Sequence, residues 1–284
     1  MTRSVTLPDR RELAYDEYGD PDGWPVLSFH GGLSSRLDAA PAHQAALALG
    51  IRLIAPDRPG MGRSTFQVDR RLLDWPDDMA VLADTLGLDR FAVMGWSCGG
   101  PYAAVCAARL EGRVTAAALL SSAIPLDLFG TTRGLTPDDR ILLFLVRRAP
   151  WLAALLMRGT IANASDAGLY QVMRRGFSAA DAVVLAERGS PHDAVAFVKE
   201  SMRQGTRGCV QDYRIFGQPW GFALEEIDVP VHLWEGSDDH TGIPEHHQFL
   251  QQRIKLSTLT VVENEGHISL LARQAKEILA PLLG

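Results

Sequence analysis

Ser97 stands between Gly95 and Gly99 in GWSCG, inside a segment, FAVMGWSCGGPYAAVCAARL, that begins as an apolar strand and continues as a helix. A serine on so sharp a strand-to-helix turn lifts its hydroxyl above the sheet, and glycines two residues to either side let strand and helix approach. The chemistry open to it is nucleophilic attack on a carbonyl. The following helix directs its positive end and free N–H groups at the same spot, which makes the Cys98 N–H a donor to a developing oxyanion. A plain glycine turn, or an anion site without a nucleophile, would use the same residues, so the motif alone does not decide.

Three further stretches weigh on the choice. PVLSFHGGLSSR ends a strand in His30-Gly31-Gly32, where the N–H of Gly32, or of Leu33 after it, could face the reacting carbonyl while His30 braces the loop. VPVHLWEGSDDHTGIPEHH sets Asp238 and Asp239 directly after a late strand, where either could orient a histidine or serve as a turn or N-cap residue. The other natural place for an acid, the end of TAAALLSSAI, holds Ser121 and Ser122. His267 lies between the last strand and the last helix, a placement that it alone has among the eight histidines. The order Ser97, Asp239, His267 is the chain order of an elbow-based triad. His240, His246 and His247 lack HExxH spacing, and a solvated helix N-terminus is expected for them in place of a metal site.

The elements that must position these residues follow from periodicity. PVLSFH, IRLIAPD, FAVMGWS, TAAALLSS, VPVHLWEG and TLTVVENEG read as buried parallel strands, and APAHQAALALG, DWPDDMAVLADTLGL, CGGPYAAVCAARL and PEHHQFLQQRI as covering helices. The class is α/β, doubly wound. The alternation stops near Pro125 and resumes near Val229, so a core of residues 1–124 and 223–284 with a helical cap at 125–222 is expected.

Composition narrows the partners. An apolar fraction of 46% and a net charge of −6 describe a folded protein without the basic stripe that nucleic acid requires, and a small-molecule partner is expected. The N-terminus lacks an apolar h-region, and three cysteines without CxxC spacing suit a reducing compartment, so a cytoplasmic location is expected. ILLFLVRRAPWLAALLM is broken by Arg147, Arg148 and Pro150, so no membrane span is expected. Its apolar residues are expected to pack within the cap, and Arg147, Arg148, Arg158, Arg174 and Arg175 to face solvent.

With HGG at 30–32, DRPGMGRS at 57–64, GWSCGG at 95–100, GSDD at 236–239 and GHISLL at 266–271, the chain resembles the α/β-hydrolase superfamily in its capped esterase, lactonase and peptidase branch. The resemblance covers the core nearly end to end. It implies a mostly parallel sheet with an inserted helical cap and the triad Ser97, Asp239 and His267, with Asp239 preferred over Asp238. It also implies an oxyanion hole from the N–H groups of Gly32 and Cys98, a loop-holding role for Asp57 and Arg58, and no metal or organic cofactor. Relatives that displace halide or open epoxides carry a carboxylate where this chain has Ser97, which sets those activities aside. The implied activity is hydrolysis of a carboxylic ester, lactone or amide of a small lipophilic molecule. A binding or scaffolding protein with an unused triad, and a C–C bond hydrolase, are the alternatives.

Overall fold

The computed structural model describes residues 2–284 and turns the six apolar runs into parallel strands of one sheet. In chain order the strands are β1 (Arg3–Thr6), β2 (Glu12–Gly19), β3 (Trp24–Phe29), β4 (Ile51–Pro56), β5 (Phe91–Trp96), β6 (Val114–Leu120), β7 (Val231–Gly236) and β8 (Ser257–Val262). They lie in the order β1-β2-β4-β3-β5-β6-β7-β8. β2 runs antiparallel to both β1 and β4. The hairpin β1–β2 escapes sequence reading because Glu12, Asp16 and Glu17 dilute its apolar pattern; Glu17 pairs with Arg3 at 2.7 Å and with Arg52 at 2.9 Å.

Helices cover both faces, which is why the central strands can be apolar throughout. α1 (His43–Leu49) and α12 (Ser269–Leu279) pack on one face. α2 (Trp75–Thr85), α3 (Gly100–Arg109) and α11 (Pro244–Arg253) pack on the other. Every residue of β5 is buried. β8 departs from the expected buried strand, because it forms the sheet's edge and leaves Thr258, Thr260 and Val261 exposed.

Between β6 and β7 the chain forms a helical cap: α4 (Leu126–Phe129), α5 (Pro137–Arg148), α6 (Pro150–Met157), α7 (Asp166–Gly176), α8 (Ala179–Glu187), α9 (Pro191–Ser201) and α10 (Arg207–Phe216). Thr136, Ser165, Ser178 and Ser190 open α5, α7, α8 and α9, and each side-chain oxygen accepts an N–H of the first turn. The apolar run from Ile141 to Met157 divides. Leu143, Val146, Ala153 and Met157 pack against Tyr213 and Phe216, whereas Ile141, Phe144, Trp151 and Leu155 are exposed. The five arginines face solvent as expected. Among the described residues no helix is long and apolar enough to cross a membrane.

Because β3, β5, β7 and β8 are parallel, their carboxyl ends lie along one edge of the sheet. The loops bearing His30, Ser97, Asp239 and His267 therefore emerge together.

Candidate active site

At the join of β5 and α3, Ser97 sits at φ 56°, a left-handed conformation that L-residues other than glycine rarely adopt. The flanking glycines are required by contact. A Cβ on Gly95 would lie 2.2 Å from the carbonyl oxygen of Gly99, and one on Gly99 would lie 2.1 Å from the carbonyl oxygen of Phe29 in β3. The turn is thus tight enough to raise Ser97 only because neither position carries a side chain. The Cys98 thiol is pushed up to about 12 by burial, so its backbone, and not its sulfur, is the part available to chemistry.

The histidine and the acid meet. His267 Nδ1 lies 2.7 Å from Asp239 Oδ2, and both side chains are buried. The other Asp239 oxygen, Oδ1, accepts the Thr241 N–H at 2.8 Å and the Thr241 hydroxyl at 2.7 Å. Asp238 instead takes the Ser237 hydroxyl at 3.1 Å, near the surface, and forms neither a hydrogen bond nor an ion pair with His267. The network assigns the His267 proton to Nδ1 and leaves Nε2 as the free base. Trp96 braces the loop by donating its indole N–H to the His267 carbonyl at 2.9 Å, and Phe177 of the cap stacks on the imidazole with centroids 6.0 Å apart. Among the described residues no hydrogen bond joins Ser97 to His267, a link that in hydrolytic sites commonly tightens only when substrate is bound.

Burial on its own would raise the Asp239 carboxyl and lower the His267 imidazole. Their mutual attraction and hydrogen bond prevail, so Asp239 is held well below the carboxylate range and His267 is raised above its ordinary value. A base must be neutral to accept a proton. Any activity that depends on His267 is therefore expected to rise with pH through a midpoint above the ordinary imidazole value of 6.5, read from the acid limb of kcat/KM. A midpoint at or below that value would contradict the pairing.

The HGG loop is fixed from behind. The Arg58 guanidinium, fully buried, donates to the carbonyl of His30 and, at 2.7 Å, to that of Gly31. His30 accepts the Arg58 N–H at Nε2, so its Nδ1–H turns to the Gly31 carbonyl at 2.9 Å. Since the Gly31–Gly32 peptide is planar and trans, holding its carbonyl on one side points the Gly32 N–H the opposite way. The Gly31 N–H is spent on Asp38 at 2.9 Å. A Cβ on Gly32 would lie 3.0 Å from Cys98 Sγ, so the two residues expected to supply the oxyanion donors adjoin one another.

Arg58 is in turn anchored to the cap. Asp212 of α10 accepts from Arg58 Nε at 3.0 Å and Nη2 at 2.7 Å, from Arg70 at 3.0 Å and from the Tyr102 hydroxyl at 2.7 Å. Burial alone would raise this carboxyl; Arg58 and Arg70 bring it down to about 2. Asp57 accepts the Arg63 N–H at 2.9 Å and pairs with Arg36 at 2.7 Å, which agrees with the loop-holding role expected of the pair Asp57 and Arg58.

The histidines of α11 correct the expectation of a solvated helix end. His246 and His247 are each 3% exposed. His247 accepts the Ser122 N–H at 3.0 Å and faces Glu235 at 3.1 Å, while His246 reaches the Arg133 carbonyl at 3.0 Å. They tie α11 to the loops after β6 and before α5, and among the described residues no group of side chains has metal-binding geometry. Sequence reading also missed Thr241, whose position two residues after Asp239 is the signal of a local carboxylate turn. Asp212 carried no signal of its own.

Comparison with known proteins places these features. The family profile described as alpha/beta hydrolase fold matches residues 25–157. An uncharacterized hydrolase of Bacillus subtilis (strain 168), YcgS, is 25% identical over 92% of this chain and 91% of its own length. The bifunctional esterase/perhydrolase DCH of Acinetobacter calcoaceticus is 36% identical over 43% of this chain and 44% of its own. Among solved structures, a bromoperoxidase from Bacillus anthracis superposes with a TM-score of 0.74 at 18% identity, covering 99% of this chain and 98% of that one.

Proposed function

Because the chain belongs to the α/β-hydrolase superfamily and is a hydrolase of that fold, we propose that it cleaves a carboxylic ester, lactone or amide of a small lipophilic molecule through an acyl-enzyme. The observation that carries this reading is the 2.7 Å bond between His267 and Asp239 beside a serine held at φ 56°. Ser97 Oγ attacks the carbonyl carbon as His267 Nε2 takes its proton. The N–H groups of Gly32 and Cys98 hold the oxyanion, each contributing about 3 kcal/mol in comparable sites. When the intermediate collapses, His267 returns the proton to the leaving alcohol or amine, and the acyl group remains on Ser97. Water, deprotonated by the same nitrogen, then releases the acid. Support for a lipophilic substrate comes from the cap residues Leu142, Leu145, Val146 and Met157, which pack in one apolar cluster with Leu33 and Cys98.

The test is a panel of p-nitrophenyl esters, lactones and anilides run alongside labelling by a fluorophosphonate probe. Turnover of one class with covalent labelling at Ser97 is the expected result. Absence of labelling would leave a binding protein with an unused triad. Labelling without turnover on any of the three, but with cleavage of a diketone, would move the reaction to a C–C bond.

A further inference from the structure

Two cap helices, α8 and α9, open on the same motif, a serine N-cap followed three residues later by an aspartate: Ser178 with Asp181 and Ser190 with Asp193. Asp193 is exposed, and its side chain stays local, accepting the Ser190 hydroxyl at 2.6 Å. Asp181 is 1% exposed and spends three of its four hydrogen bonds elsewhere. Its Oδ2 accepts the N–H of His267 at 3.1 Å, and its Oδ1 accepts those of Ile268 and Ser269 at 2.8 Å each. These are the amides that open α12, a helix whose own N-cap residue, Ile268, makes no side-chain cap. Gly266 makes the approach possible, since a Cβ there would lie 2.1 Å from Ser178 Oγ and 2.4 Å from Asp181 Oδ2.

We propose that Asp181 is a positioning residue for His267, through which the cap sets the place and basicity of the catalytic histidine. The inference rests on the acyl-transfer reading of the same site. A carboxylate bonded to the histidine's own N–H fixes the backbone from which the imidazole reaches Asp239 and Ser97. Its charge also favours the imidazolium formed during attack. The charged groups facing His267 are Asp239 from the loop after β7, Asp181 from α8 and Asp139 from α5, with the rings of Trp96 and Phe177 against the imidazole. Capping α8 alone would require none of the bonds from Asp181 to residues 267–269, and capping α12 would not require the charge to sit beside the imidazole.

The experiment compares Asp181→Asn with Asp193→Asn, the same change in the equivalent position one helix later. Asp181→Asn keeps the shape of the side chain, removes the charge and turns amide hydrogens toward N–H donors. Against a p-nitrophenyl ester it is expected to lower kcat about tenfold or more with KM nearly unchanged. The acid limb of kcat/KM is expected to move down by about half a pH unit or more. Asp193→Asn is expected to change neither. NMR titration of the His267 Cε1–H, assigned with His267→Ala, reads the histidine without turnover and is expected to move the same way in Asp181→Asn alone. If the wild type cleaves no ester but this titration shifts, the positioning role stands and the acyl-transfer reading fails. If Asp181→Asn is folded, as circular dichroism reports, and its histidine titration matches wild type, the positioning role is overturned whatever the activity. Should Asp181→Asn not fold, Asp181→Glu, which keeps the charge but displaces it by a methylene, is expected to restore folding and shift the midpoint less than it lowers kcat. Wild-type values for both in that variant would likewise overturn the role.

Discussion

Replacing Ser97 with alanine is expected to lower kcat on an activated ester by about four to six orders of magnitude while the substrate still binds. The size follows from the division of labour at the site. In the proposed mechanism, removing the nucleophile removes the acyl-enzyme and leaves the oxyanion donors and the His267–Asp239 pair nothing to activate except water. Fluorophosphonate labelling is expected to vanish with it. The same position yields a second readout, because Ser97 holds φ 56°, which alanine must also endure and glycine need not. Ser97→Gly is therefore expected to be inactive yet more stable than Ser97→Ala by about 1 kcal/mol. Steady-state kinetics and thermal unfolding measure the two effects separately. An alanine variant keeping more than about a tenth of wild-type kcat would place the nucleophile elsewhere.

Asp212→Ala is expected to destabilise the fold by about 3–5 kcal/mol, a fall in Tm of roughly 10 °C. The change strands two guanidinium groups, Arg58 and Arg70, that are 0% and 3% exposed and share this carboxylate. Neither can reach water without opening the contact between α10 and the core. Activity is expected to fall as well, because Arg58 is the group that holds the carbonyls of His30 and Gly31 and so aims the Gly32 N–H. Calorimetry on the purified variant tests the first effect and ester kinetics the second. A Tm within about 2 °C of wild type would mean that water reaches Arg58 after all, against its burial.

The parts of this molecule legible in its sequence are those governed by local rules. β5 and α3 announce themselves by a switch from a continuous apolar run to helical spacing, and the glycines beside Ser97 mark the turn between them. His267 and the pair Asp238 and Asp239 could be located because each follows a strand at the same edge of the sheet, while the choice of Asp239 within the pair came from the family resemblance. What the sequence concealed depends on contact between distant segments. The acidic α8 residue Asp181 reads as an ordinary capping box until the chain between it and Gly266 is folded. Asp212, 154 residues from Arg58, reads as one more charge on an amphipathic helix. His246 and His247 looked like solvated residues because polarity near a helix start normally means exposure; here Glu235, the Ser122 amide and the Arg133 carbonyl supply partners that let both rings be buried.

The cap is hydrogen-bonded to the proposed site at two places, Asp181 on the histidine loop and Asp212 on the arginine behind the HGG loop, with Phe177 stacked on the imidazole. The side-chain hydrogen bonds of α6 and α7, by contrast, stay within the cap: the Ala154 carbonyl takes Thr206, and Asp166 meets His192. For anyone redesigning substrate range, the insertion is thus two materials in one. The exposed positions between Pro150 and Gly176, such as Trp151, Leu155 and Val172, can be varied freely, while the buried Ala153, Met157, Leu169 and Met173 and the stretch carrying Asp181 and Asp212 must be inherited with the proposed site as a single unit.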